Sequence, residues 1–255
     1  MKSALIFLNG HYDLRYRRFY EEALEWAVAN EYPLICADGG LRLFAQLNQT
    51  YESPLFPNVL IGDLDSLEEL PRDTVDQLEG AGTYIVREWI GHMDKDDTDG
   101  QLAVAYAIAE YDCQRILIYG GLPRRNGYEM DHFLGNLRLM RLGLQLLQEP
   151  PHATYGNGRN WQAEMRDPLQ TIHFVVADVI LDRKNEGIQR VSLISEDTNV
   201  TVENSTNLRW SLDGLHVDPV RLNTLRNEFV PGADQATIRL AEGSDPVYVI
   251  HNWYE

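Results

Sequence analysis

A chain of 255 residues, 44% of them hydrophobic, is long enough for two ordinary domains with real cores. Its 39 acidic and 22 basic side chains leave a formal charge of −17, which argues against nucleic acid or an anionic membrane as the main partner. It does not argue against a phosphorylated ligand, because local charge decides that contact.

Residues 1–8 are too short an apolar run for a secretory leader, and Asn9, Gly10 and His11 end it, so it reads as a buried first strand over residues 4–8. A helix is expected over 19–29, where Phe19, Ala23, Trp26 and Ala27 recur at helical spacing. A second strand spans 34–37 and runs into Asp38, Gly39 and Gly40, followed by a short helix over 41–47. A third strand, 59–61, ends at Gly62 and Asp63. A helix over 71–78 stops at Gly80, and a fourth strand covers 83–86. An acidic loop and a helix over about 99–110 lead to a fifth strand, 115–119, which ends at Gly120 and Gly121. A long helix is expected over 131–147. Cys36 and Cys113 sit in or beside apolar runs without zinc-type spacing, so they read as buried thiols of a reducing compartment. No segment is long and apolar enough to span a bilayer, and the expected location is the cytoplasm.

Strand–helix alternation of this kind predicts an α/β fold over residues 1–150, a mainly parallel Rossmann-like sheet with helices on both faces. Beyond Pro150 and Pro151 the pattern changes. Strand-like runs at 171–177, 188–194, 199–202, 236–240 and 247–250 predict a smaller all-β sandwich over 151–255.

In parallel sheets ligands bind beyond the carboxyl ends of the strands. The Gly pairs, Asp63 with Asp65, and the run 94–99 all follow strand ends, so they are expected to share one rim. Four carboxylates, Asp94, Asp96, Asp97 and Asp99, fall within six residues. Such crowding is unfavourable unless water screens it or a cation neutralises it. A solvated acidic loop capping a helix accounts for one or two of them. Meeting Asp63 and Asp65 across a magnesium ion accounts for all. The metal set is then Asp63, Asp65, Asp94 and Asp96, and the catalytic set Asp63, Asp65, Asp96 and Asp99, with Asp96 or Asp99 as the candidate base. No Gly-x-x-x-x-Gly-Lys-Ser/Thr loop is present, nor a Gly-x-Gly-x-x-Gly after the first strand. Arg15, Arg17, Arg18, Arg124 and Arg125 are candidate phosphate cations, each equally readable as a solvated charge. Asp131 and His132 open the long helix as either a cap with a packed histidine or a binding pair. Trp210, in the β half, reads as core on its residues alone.

The segments 37–40, 62–66 and 94–99, with Gly120, Gly121, Asp131, His132 and Asn136, resemble the thiamine pyrophosphokinase family in order and spacing. So do residues 208–212 and 227–229. The resemblance implies an α/β domain and a β-sandwich working as a homodimer. It implies magnesium-dependent transfer of a diphosphoryl group from ATP to the hydroxyl of thiamine, with AMP released. The nucleotide would meet Asp38, Gly39, Gly40, Ser66 and Thr98 on one side, and Gly120, Gly121, Asp131 and His132 on the other. Residues 123–130 are a few residues longer than the family's compact Gly-Gly-Arg-x-Asp-His, and Arg125 is the candidate for its arginine. Trp210 would stack on the vitamin at the dimer interface, with Asn227 beside it, although Arg226 stands where the family has Ser. Two other readings stay open: the same chemistry on another hydroxymethyl heterocycle such as a pterin, and a non-catalytic nucleotide or thiamine diphosphate sensor.

Overall fold

Each short run in the first half is apolar at successive positions, and successive strand residues face opposite sides of a sheet, so these strands need cover on both faces. The computed structural model describes residues 1–50, 54–62, 73–86, 97–122, 130–149 and 160–253. The chain divides into two compact units, Met1–His152 and Ala153–Glu255.

In the first unit, β1 (Ser3–Phe7), β2 (Leu34–Ala37), β3 (Val59–Ile61), β4 (Tyr84–Val86) and β5 (Arg115–Tyr119) lie in the order β5-β1-β2-β3-β4. Every pair is parallel. Leu5, Phe7, Leu34, Cys36, Leu60, Leu117 and Tyr119 point to one side. They pack there against Tyr20, Leu24 and Ala27 of α1 (Arg17–Ala29) and Leu43, Phe44 and Leu47 of α2 (Leu41–Asn48). The alternate residues, such as Ile6 opposite Ile35 and Ile118, are fully buried as well. The remaining short helix, α3 (Thr74–Gly80), stops at Gly80 as expected. Its expected start at Pro71 lies outside the described residues. Helix α4 (Asp99–Tyr111) lies across β1, β2 and β3, and α5 (Met130–Gln148) packs on α4. That double cover explains why α4 is buried almost all round, at Ala103 through Ile108.

The second unit holds two antiparallel sheets. One has the order β11 (Asn227–Glu228), β9 (Gln189–Ile194), β13 (Val247–Trp253), β7 (Gln170–Val175), β6 (Gln162–Asp167). The other is β10 (Val202–Thr206), β12 (Gln235–Leu240), β8 (Asp178–Asp182). Val191, Leu193, Val247 and Val249 from the first meet Leu181, Val202, Ala236 and Ile238 from the second in one core. The strand expected at 199–202 is displaced: Asn199 bonds to Gly243 O, and the strand proper begins at Val202. Among the described residues no helix is long and apolar enough to cross a membrane.

His251 is fully buried in this unit, stacked on Phe229 at 5.2 Å with the rings 10° apart. Its Nε2 lies 3.0 Å from Gln189 Oε1. An amide oxygen can only accept, so Nε2 carries the proton, and among the described residues Nδ1 has no partner. Burial, followed by the nearby positive charges of His173 and Lys184, lowers the imidazole from 6.5 to about 3. The unfolded chain takes this proton near pH 6.5, whereas the folded chain takes it only near 3. Stability is therefore complete above the first value and lost as pH falls towards the second. Between pH 6 and 4, wild-type stability should fall about 1.4 kcal/mol per unit more steeply than that of His251→Gln. Urea unfolding as a function of pH measures the difference, and equal slopes would remove His251 as its source.

Candidate active site

Strand order places the first unit's crevice. The chain leaves β1 and β2 towards α1 and α2 on one face, and β4 and β5 towards α4 and α5 on the other. The direction reverses between β1 and β5, which is where parallel sheets open a cleft at their carboxyl ends. The loops there approach so closely that a Cβ on Gly10 would lie 1.7 Å from Gly120 O. Tyr12 seals the contact by donating to Leu8 O at 2.7 Å, and burial raises its phenol well above the usual value, which keeps that proton in place.

At the end of β2, Asp38-Gly39-Gly40 forms a tight 3-10 turn. Gly40 presses on Phe7 O, where a Cβ would come within 2.0 Å, and Gly39 presses on the Asn9 side chain. The two glycines are therefore required by the end of β1. Asn9 Oδ1 also accepts from Arg42 Nη1 at 2.9 Å, so the first turn of α2 is tied to the same strand end.

Asp38 carries a positive φ of 42° and is 4% exposed. Among the described residues its Oδ1 has no hydrogen-bond partner. At the end of β3, Gly62 has φ 144°, and a Cβ there would lie 3.1 Å from Asp38 Cβ and 3.2 Å from the Asp99 carboxyl. Gly62 N donates to Val86 O at 3.2 Å, joining the ends of β3 and β4. Three chain segments thus bring the Asp38 Cβ and the Asp99 carboxyl against one glycine. Asp99 opens α4 behind a capping box in which Thr98 accepts from Gln101 N and Gln101 accepts from Thr98 N.

The expected residues divide as follows. Asp38, Gly39, Gly40 and Asp99 come together with Gly62. Gly120 meets Gly10, and Gly121 O accepts from Asn136 Nδ2 at 3.1 Å, which ties α5 to β5. The Thr98 hydroxyl serves its helix cap. Asp131 and His132 are exposed in the first turn of α5. Asp63, Asp65, Ser66, Asp94, Asp96, Arg124 and Arg125 lie outside the described residues. Arg15, Arg17 and Arg18 pair with Asp13, Glu21, and Glu22 with Glu25, so helix-face ion pairs account for them. Sequence reasoning put Asn9 and Gly10 on the same rim but gave the Asn9 side chain no role, and it missed Arg42. The available signal was an amide directly after a buried strand and a cation two residues beyond a Gly pair.

Within the second unit, Trp210 is 52% exposed, which corrects the core expectation. Its backbone is clamped by the buried Asn227, whose Oδ1 accepts from Trp210 N at 3.2 Å and whose Nδ2 donates to Trp210 O at 2.7 Å. Arg209 lies 4.8 Å from the indole centroid and pairs with Glu228 at 2.9 Å. The clamp holds the ring out of the core, with one face covered by a cation.

Residues 25–145 match the model of a family described as thiamin pyrophosphokinase, catalytic domain. No curated protein matches the chain. The fold resembles that of thiamine pyrophosphokinase from Bacillus subtilis, with 17% identity, full coverage of both chains and a TM-score of 0.68. It also resembles the enzyme from Geobacillus thermodenitrificans, with 19% identity over 100% of this chain and 98% of that one and a TM-score of 0.66. Yeast thiamin pyrophosphokinase gives 16% identity over 99% and 86% and a TM-score of 0.66. Identities this low compare folds.

Asp38→Asn should stabilise the free protein by about 1 kcal/mol. Asn tolerates positive φ, and an amide removes a buried carboxylate oxygen that lacks a partner. Urea unfolding checks this, and a loss of stability would show that the carboxylate is satisfied.

Proposed function

We propose that the chain, whose residues 25–145 match the model of the thiamin pyrophosphokinase catalytic domain, is a thiamine diphosphokinase. It transfers a diphosphoryl group from ATP to the hydroxyl of thiamine, giving thiamine diphosphate and AMP. The observation that carries this reading is the meeting of Asp38 and Asp99 at Gly62, on the strand ends that lead into both acidic loops.

Two aspartates meeting at one glycine, one of them buried with an oxygen that has no partner among the described residues, suit a hard divalent cation. Asp63, Asp65, Asp94 and Asp96 are the residues proposed to hold magnesium. When bound, that ion supplies charge neutralisation on the phosphate oxygens. The chain's own part is positioning. Gly39, Gly40, Gly120 and Gly121 keep backbone low beside the crevice, and Ser66, Thr98, Asp131, His132 and Arg125 complete the nucleotide side. The acceptor oxygen forms its bond to the β-phosphorus while the bond from that phosphorus to the α–β bridging oxygen breaks, and AMP leaves carrying the bridging oxygen. Asp99 is the favoured acceptor of the hydroxyl proton: it opens α4 at the meeting point, and its ordered cap fixes its backbone. Asp96 is the second candidate.

Trp210 is proposed to stack on the vitamin through the ring face opposite Arg209. Asn227 acts by holding Trp210, because its amide is engaged with that backbone. The working form is proposed to be a cytoplasmic homodimer, with residues 1–150 supplying the catalytic domain and 151–255 supplying part of the thiamine site and of the dimer interface.

Incubation of the protein with ATP, magnesium and a panel of alcohols, with products weighed by mass spectrometry, tests the reading. AMP and thiamine diphosphate are expected, and both should vanish with EDTA. A pterin diphosphate would reassign the acceptor, and absence of AMP with every acceptor would leave a sensor. Asp63→Asn and Asp96→Asn should each lower kcat by about 100-fold or more without loss of folded circular dichroism. Full turnover in either, at saturating magnesium, counts against its role. Trp210→Ala should raise the KM for thiamine about tenfold and leave that for ATP nearly unchanged. An unaltered thiamine KM would take Trp210 out of the site.

A further inference from the structure

A polyphosphate bound beside Asp38 and Asp99 needs a cation to offset like charge. The arginines nearest the end of β1 in sequence, Arg15, Arg17 and Arg18, are engaged along α1 and its approach with Asp13, Glu21, Glu22 and Glu25. Arg42 stands elsewhere. It sits in the first turn of α2, two residues beyond Gly40, and its Nη1 donates to Asn9 Oδ1 at 2.9 Å. Asn9 in turn lies against Gly39, so its amide oxygen is fixed over the Asp38–Gly40 turn. The guanidinium is thereby drawn over the carboxyl ends of β1 and β2, on the crevice side marked by the reversal between β1 and β5.

We propose that Arg42 is a substrate-binding residue that grips the phosphate chain of the nucleotide, with Asn9 holding its guanidinium in place. The assignment rests on the reading of this crevice as a nucleoside triphosphate site. The Asn9 amide suits this role, because its oxygen orients the fork and brings no opposing charge of its own. The close packing of Gly39 on Asn9 has a reason in the same terms, since a larger residue at 39 would displace the amide that aims the guanidinium. Affinity lost on removing Arg42 should grow with the number of phosphates, because each added phosphate brings charge within reach of the cation.

The test is calorimetric titration of the folded full-length protein, with magnesium, using adenosine, AMP, ADP and the α,β-methylene analogue of ATP. Arg42→Ala is expected to weaken the triphosphate analogue about 10- to 100-fold, AMP less, and adenosine hardly at all. Arg42→Gln keeps a donor for Asn9 and loses the charge, and it should show the same gradient. It is the deciding variant if the alanine change lowers folded circular dichroism. Unchanged affinity for the triphosphate analogue, or an equal loss for adenosine, overturns the proposal. A wild-type protein that binds the analogue but does not convert thiamine overturns the acceptor reading and leaves the Arg42 comparison standing. A wild-type protein that binds none of the four overturns both.

Discussion

Two aspartates press on one glycine, and the first unit is arranged around the cost of keeping them there. Asp38 sits at positive φ, which costs an L-residue on the order of 1 kcal/mol. It is also buried, with an oxygen that lacks a partner among the described residues. Asp99 faces the same point from the start of α4. A fold selected for stability alone would remove one of the acids. That both remain, on a scaffold as closely packed as the ends of β1, β2 and β5, marks the place as one where stability is given up for chemistry.

The close packing is what makes the acids converge. Gly10 against Gly120, and Gly40 against Phe7 O, are backbone contacts that no side chain can occupy. They pull the strand ends together like the mouth of a drawstring bag. Asp38 and Gly62 follow directly on β2 and β3, so they have little freedom to stand apart. Burial on both faces supplies the rigidity. Alternate strand residues reach α1 and α2 on one side and α4 on the other, so a strand cannot shift without exposing a row of apolar side chains.

This half was largely legible in the sequence because its strands are short, wholly apolar runs that stop at glycine, and its helices repeat at 3.6 residues. The β half was harder. Strand β6 hides behind Glu164 and Arg166, two residues apart and thus on one face, where they pair with each other. Strand β8 buries only Leu181 and leaves Ile180 57% exposed, so its pattern does not separate in from out. Arg42 and Asn9 could not be found from periodicity at all. Their link spans 33 positions and depends on Gly39 packing against the Asn9 side chain, which no local pattern records.

Trp210 shows the same limit from the other direction. An aromatic residue in a β-rich stretch ordinarily belongs in the core, where its area stabilises most. Here the buried Asn227 takes both the N–H and the C=O of Trp210, so backbone hydrogen bonds fix the residue where hydrophobic contact does not. Arg209, anchored by Glu228, then covers one face of the indole. A cation on that face draws on the ring's negative quadrupole. The opposite face is left better suited to a neutral or weakly polar ring than to a second full positive charge. Thiamine contains one ring of each kind, a neutral aminopyrimidine and a cationic thiazolium, so under the stacking proposed for Trp210 the side chain beside the tryptophan would select between them.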